Sequence, residues 1–153
     1  KAIGTEIGLT ETQATFSSCF GSAFLTLHPV KYAEVLENKI IEHKPKIYLI
    51  NTGWNGRKER LDLEKTRNII SLINFGKIQD KNFFEIPYFN LKIPNSLLKE
   101  DTDFYNPIRS FKDDKSWRVN ALDLTKKFNH NFEKFKLIKS DLINRYNAFG
   151  PKI

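Results

Sequence analysis

Methionine is absent from the 153 residues, and the chain begins at Lys1. We therefore expect it to be a piece cut from a longer polypeptide. Cysteine occurs once, at Cys19, which excludes an internal disulfide and a zinc site built from several thiolates. A lone cysteine is typical of a reducing compartment, and we predict a cytoplasmic protein. No hydrophobic run approaches the roughly 18 residues that a membrane helix needs, so we predict no membrane contact.

Basic residues outnumber acidic ones, 25 Lys and Arg against 18 Asp and Glu, giving a net charge of +7. Such a balance is typical either of a surface that binds a polyanion or of a lysine-rich sequence with a solvated positive face. The lysines are spread along the chain without a long block of like charges, which favours the second interpretation. We therefore predict no nucleic-acid partner. Length and composition predict one globular domain of ordinary size.

The first third of the chain changes character at His28. Residues 4–24 are rich in Gly, Thr and Ser and predict a loop with short extended pieces. His28 and Pro29 open a helix that must end before Pro45, because a residue that precedes proline avoids helical geometry. The predicted apolar face of this helix comprises Tyr32, Ala33, Leu36 and Ile40. The apolar run at residues 46–50, Lys-Ile-Tyr-Leu-Ile, predicts a buried strand.

The middle of the chain alternates between turn-rich and regular patterns. Residues 51–56, Asn-Thr-Gly-Trp-Asn-Gly, predict a loop. A second helix is predicted to begin at Asp62, whose carboxylate suits an N-cap, and to end near Phe75 and Gly76. Residues 83–94 are β-prone but contain prolines, which favour an edge strand or a turn.

The C-terminal third predicts helices. A turn at Asn106 precedes a long helix over residues 113–136, and a short closing helix is predicted over residues 140–146. The long helix carries an apolar stripe with helical spacing, made of Trp117, Ala121, Leu124, Phe128, Phe132 and Phe135. This spacing predicts a packed core rather than aromatic rings that stack on bases. Together the elements predict a mixed α/β fold with a long C-terminal helix.

Three segments are distinctive enough to indicate a family. Residues 4–6 read Gly-Thr-Glu, and residues 11–21 read Glu-Thr-Gln-Ala-Thr-Phe-Ser-Ser-Cys-Phe-Gly. Residues 27–34 read Leu-His-Pro-Val-Lys-Tyr-Ala-Glu. Residues 49–56 read Leu-Ile-Asn-Thr-Gly-Trp-Asn-Gly, with Arg60 shortly after them. In this order and spacing the segments resemble the C-terminal part of ATP-dependent phosphoenolpyruvate carboxykinases, and the resemblance covers nearly the whole chain.

The resemblance implies that residues 1–153 are the C-terminal portion of a nucleotide-binding catalytic domain. Members of the family convert oxaloacetate and ATP into phosphoenolpyruvate, carbon dioxide and ADP, with magnesium and manganese assisting, at an entry step to gluconeogenesis. Their phosphate-binding loop, their metal ligands and most of their oxaloacetate contacts lie upstream of the part that is present. The partner implied for this chain is the remaining part of the enzyme or a companion chain.

The residues themselves agree with the upstream location of that machinery. The chain contains no G-x-x-x-x-G-K-[ST] loop to cradle phosphates. No carboxylate pair stands beside a histidine in a spacing that suggests a Mg²⁺ or Mn²⁺ site. We therefore predict that this chain supplies no catalytic residue and no metal ligand, and that it is not active alone.

The resemblance places Arg60, Leu61 and Thr66 on the nucleotide-contacting positions of the family. The predicted local structure suits this, because nucleotides bind at the mouth of open α/β sheets and a helix start offers N–H groups to an anion. The alternative is that Arg60 is a solvent-exposed loop residue and Thr66 an ordinary helix residue. The residues alone favour the alternative, whereas the resemblance favours the site.

The loop before Arg60 departs from the family pattern. The family usually has a glycine-rich stretch ending Gly-Lys-Arg, where residues 57–60 of this chain read Arg-Lys-Glu-Arg. Lys58 lacks the backbone freedom of glycine, and Glu59 adds a negative charge beside a site meant for ATP. The alternative function is therefore a diverged, non-catalytic structural subunit of a larger assembly.

Overall fold

The computed structural model describes Phe16 and residues 24–78, 83–95, 102–135 and 140–153. These residues form five α-helices and one two-stranded antiparallel sheet. The predicted mixed α/β class is therefore confirmed.

The chain divides into two units, Lys1–Tyr48 and Leu49–Ile153. Most of the predicted loop over residues 4–24, including Cys19, lies outside the described residues. The same holds for the first of the three motif segments, residues 4–6 and 11–21, apart from Phe16, whereas residues 27–34 and 49–56 are described.

Helix α1 of the first unit, Pro29–His43, begins and ends where the sequence predicts. The Nδ1 atom of His28 accepts a hydrogen bond from the Val30 N–H at 3.3 Å, which makes His28 the N-cap. Lys44 ends the helix in the left-handed region with φ 46°, and Pro45 follows. Local signals at both ends therefore set this helix.

The predicted apolar face of α1 is only partly buried. Val30 is buried, whereas Leu36 of the predicted apolar face is 62% exposed. Helical spacing indicates which side of a helix is apolar, whereas burial requires another element to cover that side. The described residues supply no such cover at Leu36.

The predicted buried strand at residues 46–50 is also wrong. Residues 44–50 have no regular secondary structure, and Leu49 is 79% exposed. A strand is held by hydrogen bonds to a neighbouring strand, and none of the described residues pairs with this run. The apolar run is thus left uncovered.

Helix α2 of the second unit, Leu63–Asn74, confirms the prediction at both ends. Asp62 caps its start, and Gly76 follows its end with φ 65°, a conformation that favours glycine. Ile69 is the buried residue of this helix.

Strands β1, Phe83–Ile86, and β2, Leu91–Pro94, form the antiparallel pair, with Phe84 opposite Ile93. The predicted extended segment with a turn is therefore confirmed. The C-terminal segment is tied to that turn, since the Lys152 N–H donates to the Tyr88 carbonyl at 2.7 Å.

The described helices of the C-terminal third are α3, Thr102–Tyr105, α4, Asp114–Glu133, and α5, Ser140–Phe149. The short helix α3 was not predicted, and α5 extends beyond the predicted residues 140–146. The Asp113 carboxylate caps α4 by accepting from the Ser116 N–H at 2.6 Å. None of the described helices is long and apolar enough to cross a lipid bilayer.

The core of the second unit gathers Ile86, Trp117 and Ala121. The rings of Tyr88 and Trp117 stack with centroids 5.9 Å apart. Thr125, four residues after Ala121, completes the buried face of α4 and is 0% exposed.

The predicted aromatic stripe is only partly buried. Leu124 and Phe128 are 42% and 41% exposed, so the prediction of a core role is wrong for both. The buried positions of α4 are Trp117, Ala121 and Thr125, which follow one another at four-residue steps.

Candidate functional site

Residues 53–61, which we call the arginine loop, fold back on themselves just before α2. Trp54 and Arg60 lie opposite each other in an isolated antiparallel bridge. The Leu61 N–H donates to the Gly53 carbonyl at 3.0 Å, which closes the base of the loop. The loop is therefore a small hairpin that presents Arg60 at its end.

The side chain of Asn55 closes the tip of the arginine loop. Its Oδ1 atom accepts from the backbone N–H groups of Arg57 and Glu59 at 3.0 and 2.9 Å. Its Nδ2 atom donates to the Glu59 carboxylate at 2.8 Å. Lys58 occupies the left-handed region with φ 63°. Glu59 is thus held by Asn55 within the loop.

Residues 106–111, which we call the anchoring turn, contact the arginine loop. The Gly56 N–H donates to the Ser110 hydroxyl at 3.2 Å, and Nη2 of Arg57 donates to the Arg109 carbonyl at 3.2 Å. A Cβ atom on Gly56 would lie 2.3 Å from Cδ2 of Phe111. This spacing leaves room for hydrogen alone at residue 56.

The anchoring turn is held by its own hydrogen bonds. The Asn106 side chain accepts from the Ile108 N–H at 2.9 Å, and the Asn106 carbonyl accepts from the Ser110 N–H at 2.9 Å. The Ser110 hydroxyl donates to the Pro107 carbonyl at 3.1 Å, and Ser110 is 1% exposed. These contacts fix the direction in which the Ser110 oxygen faces the loop.

The three predicted site residues occupy one continuous segment, from the end of the arginine loop to the first turn of α2. Arg60 is exposed, while Leu61 and Thr66 are half-buried. The Leu61 N–H is engaged by Gly53, and the Thr66 hydroxyl donates to the Asp62 carbonyl at 2.8 Å. Both residues therefore offer oxygen acceptors to a ligand, and Arg60 offers charged donors.

Asp62 occupies part of the start of α2. Its Oδ1 atom accepts from the Lys65 N–H at 2.7 Å, and its Oδ2 atom lies 2.9 Å from the Lys65 ammonium. The bond from the Lys65 N–H holds the pKa of the Asp62 carboxyl below its ordinary value. The Lys65 N–H is therefore not available to an anion, and the carboxylate adds negative charge at this end.

Sequence reasoning missed the anchoring turn as part of this region. It located a turn at Asn106, but nothing in the sequence indicates that Gly56 and Ser110, 54 positions apart, touch each other. A glycine at the tip of a loop was the one available signal, because glycine marks close approach as well as unusual backbone conformations.

Comparison with known proteins covers the same region. The family described as phosphoenolpyruvate carboxykinase matches residues 1–103. A curated phosphoenolpyruvate carboxykinase (ATP) from Wigglesworthia glossinidia brevipalpis is 46% identical over 155 aligned residues, which cover all of this chain. The chain belongs to the phosphoenolpyruvate carboxykinase family.

The extent of the carboxykinase match separates two parts of the site. The arginine loop and α2 lie within the matched residues, whereas the anchoring turn lies beyond residue 103. The chain spans 28% of the length of the curated carboxykinase.

Proposed function

We propose that this chain is the C-terminal portion of an ATP-dependent phosphoenolpyruvate carboxykinase catalytic domain. The complete enzyme would convert oxaloacetate and ATP into phosphoenolpyruvate, carbon dioxide and ADP in the cytoplasm, for gluconeogenesis. The observation that carries the proposal is the 46% identity to a curated carboxykinase over the whole chain.

We propose that Arg60, Leu61 and Thr66 form one wall of the nucleotide pocket. The exposed guanidinium of Arg60 suits a phosphate, because it is permanently charged and donates in a planar fork. The Leu61 carbonyl and the Thr66 oxygen suit donor groups of a nucleotide, such as hydroxyl or amino groups. Arg60 would therefore supply donors for the phosphates of ATP, and Leu61 and Thr66 would supply acceptors for its hydroxyl or amino groups.

Magnesium and manganese fit the described residues poorly. Among them, no group of three His, Cys, Asp or Glu side chains lies close enough to hold a metal ion. We therefore assign the metal ligands to the remaining part of the enzyme and derive no step of the reaction from a metal in this chain.

The uncovered run at residues 46–50 supports a larger partner. It is apolar and β-prone, yet Ile47 and Leu49 are 58% and 79% exposed. Burying such a side chain stabilises the folded state by about 1.5–3 kcal/mol, so pairing of this run with a neighbouring strand would be favourable. Since the chain spans 28% of the curated relative, we propose that the remaining part of the enzyme covers this run.

A chimaera tests the proposed function. Residues 1–153 replace the matching segment of the Wigglesworthia enzyme, and conversion of oxaloacetate to phosphoenolpyruvate is measured with and without ATP. We expect ATP-dependent conversion. The Arg60→Ala variant should lower kcat/KM for ATP about 10- to 100-fold, because a charged hydrogen bond is lost.

Arg118→Ala is the matched control, since Arg118 is an exposed arginine on α4. It should leave kcat/KM unchanged. A folded chimaera without ATP-dependent conversion would contradict the proposed function and favour the non-catalytic structural subunit. Equal losses in Arg60→Ala and Arg118→Ala would show that net charge, not contact by Arg60, determines the effect.

A further inference from the structure

The exposed position of Arg60 raises the question of what holds it in place. Arg60 lies at the end of the arginine loop, and the groups that pair with it locally are those of the loop itself. A hairpin held only by its own bonds is marginally stable in water. Among the described residues, the bonds to the anchoring turn join the tip of the loop to the side of the core.

The anchoring turn is suited to that task because it is itself fixed. Ile108 and Phe111 pack against the core that contains Trp117. Ser110 is almost completely buried and donates its hydroxyl proton to Pro107, so a lone pair of its oxygen faces the Gly56 N–H. A buried hydroxyl that makes two hydrogen bonds gives a directional contact that a surface side chain does not.

The arginine loop transmits this contact to Arg60. Gly56 is four residues before Arg60, and the bonds from Asn55 to Glu59 hold the intervening residues together. The bridge between Trp54 and Arg60 completes the unit. Displacing Gly56 therefore displaces Arg60 with it.

We infer that Ser110 is a positioning residue for the nucleotide site: its hydroxyl and the adjacent Phe111 ring hold the arginine loop so that Arg60 faces the bound nucleotide. This inference rests on the proposed function of Arg60. It assigns a role to residues beyond the part of the chain that the carboxykinase family model matches.

Limited digestion with trypsin tests the anchoring without any nucleotide. Arg57, Lys58 and Arg60 are exposed cleavage sites within the loop. In Ser110→Ala, cleavage at these sites should rise about fivefold, because cleavage follows the population of the opened loop. Cleavage after Lys126, an exposed lysine of α4, should not change. The matched control Ser71→Ala, on the exposed side of α2, should behave like the wild type.

The active chimaera supplies the second measurement. Ser110→Ala should raise the KM for ATP about fivefold and leave kcat within twofold, whereas Ser71→Ala should change neither. Arg57→Ala removes the second tether without touching the core, and should raise both loop cleavage after Arg60 and the KM for ATP. The Arg57→Ala variant takes the place of Ser110→Ala in both measurements if Ser110→Ala does not fold.

The outcomes separate the two proposals. Increased loop cleavage with an unchanged KM for ATP would overturn the positioning role. Equal increases at the loop and at Lys126 would also overturn it, since Ser110 would then stabilise the whole unit. A wild-type chimaera that does not use ATP would contradict the proposed function and the positioning role with it, while the digestion would still show whether Ser110 holds the loop.

Discussion

The contact between Gly56 and Phe111 gives the sharpest prediction about stability. A Cβ at residue 56 would lie 2.3, 2.6 and 2.7 Å from three ring atoms of Phe111. Ordinary contact requires about 3.5 Å, so Gly56→Ala requires a relative shift of about 1 Å. The backbone of Gly56 has no positive φ, so the requirement for glycine comes from space alone.

Neither partner can make this shift without loss. Phe111 packs against the core, and its displacement costs about 1–3 kcal/mol, as other overpacked substitutions do. Movement of the loop breaks the bond between Gly56 and Ser110, worth about 1 kcal/mol. Since either shift relieves the contact, we expect Gly56→Ala to lower the free energy of unfolding of the second unit by about 1–3 kcal/mol.

Urea denaturation measures this change. Trp117 is 7% exposed and Trp54 is 69% exposed, so a Trp54→Phe background leaves a single buried reporter in the core. With an m-value of about 2 kcal/mol/M, the midpoint should fall by about 0.5–1.5 M.

Gly150→Ala is the control, because its Cβ would meet the Asn147 carbonyl at an ordinary 3.5 Å. It should not lower the midpoint. Phe111→Leu in the Gly56→Ala background should recover part of the loss, since residues in contact are not additive. An unchanged midpoint in Gly56→Ala would refute the close contact on which the reasoning depends.

Substitutions at three further positions test other features of the second unit. Thr125 is 0% exposed, and its hydroxyl has no hydrogen-bond partner among the described residues. Thr125→Val should therefore raise the free energy of unfolding by about 1 kcal/mol, whereas Thr125→Ser should lower it. A less stable Thr125→Val variant would mean that the hydroxyl is hydrogen-bonded. Lys58 has φ 63°, so Lys58→Gly should raise the free energy of unfolding by up to about 1 kcal/mol, whereas Lys58→Ala should leave it unchanged. Urea denaturation measures both variants, and equal free energies for Lys58→Gly and Lys58→Ala would contradict strain at Lys58. The hydrogen bond from the Lys65 N–H lowers the pKa of Asp62, so the stability contributed by the Asp62 carboxylate is present above its unfolded pKa and is lost as the pH falls through its folded pKa. Acid titration followed by circular dichroism should therefore show less loss of helix in Asp62→Asn, which keeps an acceptor for the Lys65 N–H. Identical titrations of the two proteins would argue against the cap.

The features predicted correctly from the sequence depend on neighbours in the chain. Asp62 and Asp113 accept from N–H groups three residues ahead, and the carboxylate type at that spacing is visible in the sequence. Pro45 and Gly76 mark helix ends for equally local reasons. Such signals require no knowledge of what packs against the helix.

The features predicted wrongly depend on what covers a surface. Residues 46–50 have the composition of a buried strand, and Leu124 and Phe128 occupy apolar positions of α4. Composition and spacing record that a side chain is suited to burial, but the element that buries it is a separate fact. The contact of Gly56 with Ser110 is unpredictable for the same reason, because it depends on the complete path of the chain between two residues 54 positions apart.

The resemblance implies a glycine-rich stretch where residues 57–60 read Arg-Lys-Glu-Arg, and this expected departure bears on the choice between enzyme and structural subunit. Glycine would let the loop close through backbone freedom, whereas here Asn55 and Glu59 close it through side-chain bonds, with Lys58 in the left-handed region. The loop therefore closes opposite Trp54 by other means, and Glu59 is engaged within it. Whether the backbone at Lys58 is strained and whether the loop contacts a nucleotide are thus separate questions. Lys58→Gly measures the strain, and Arg60→Ala measures the contribution of the loop to ATP binding.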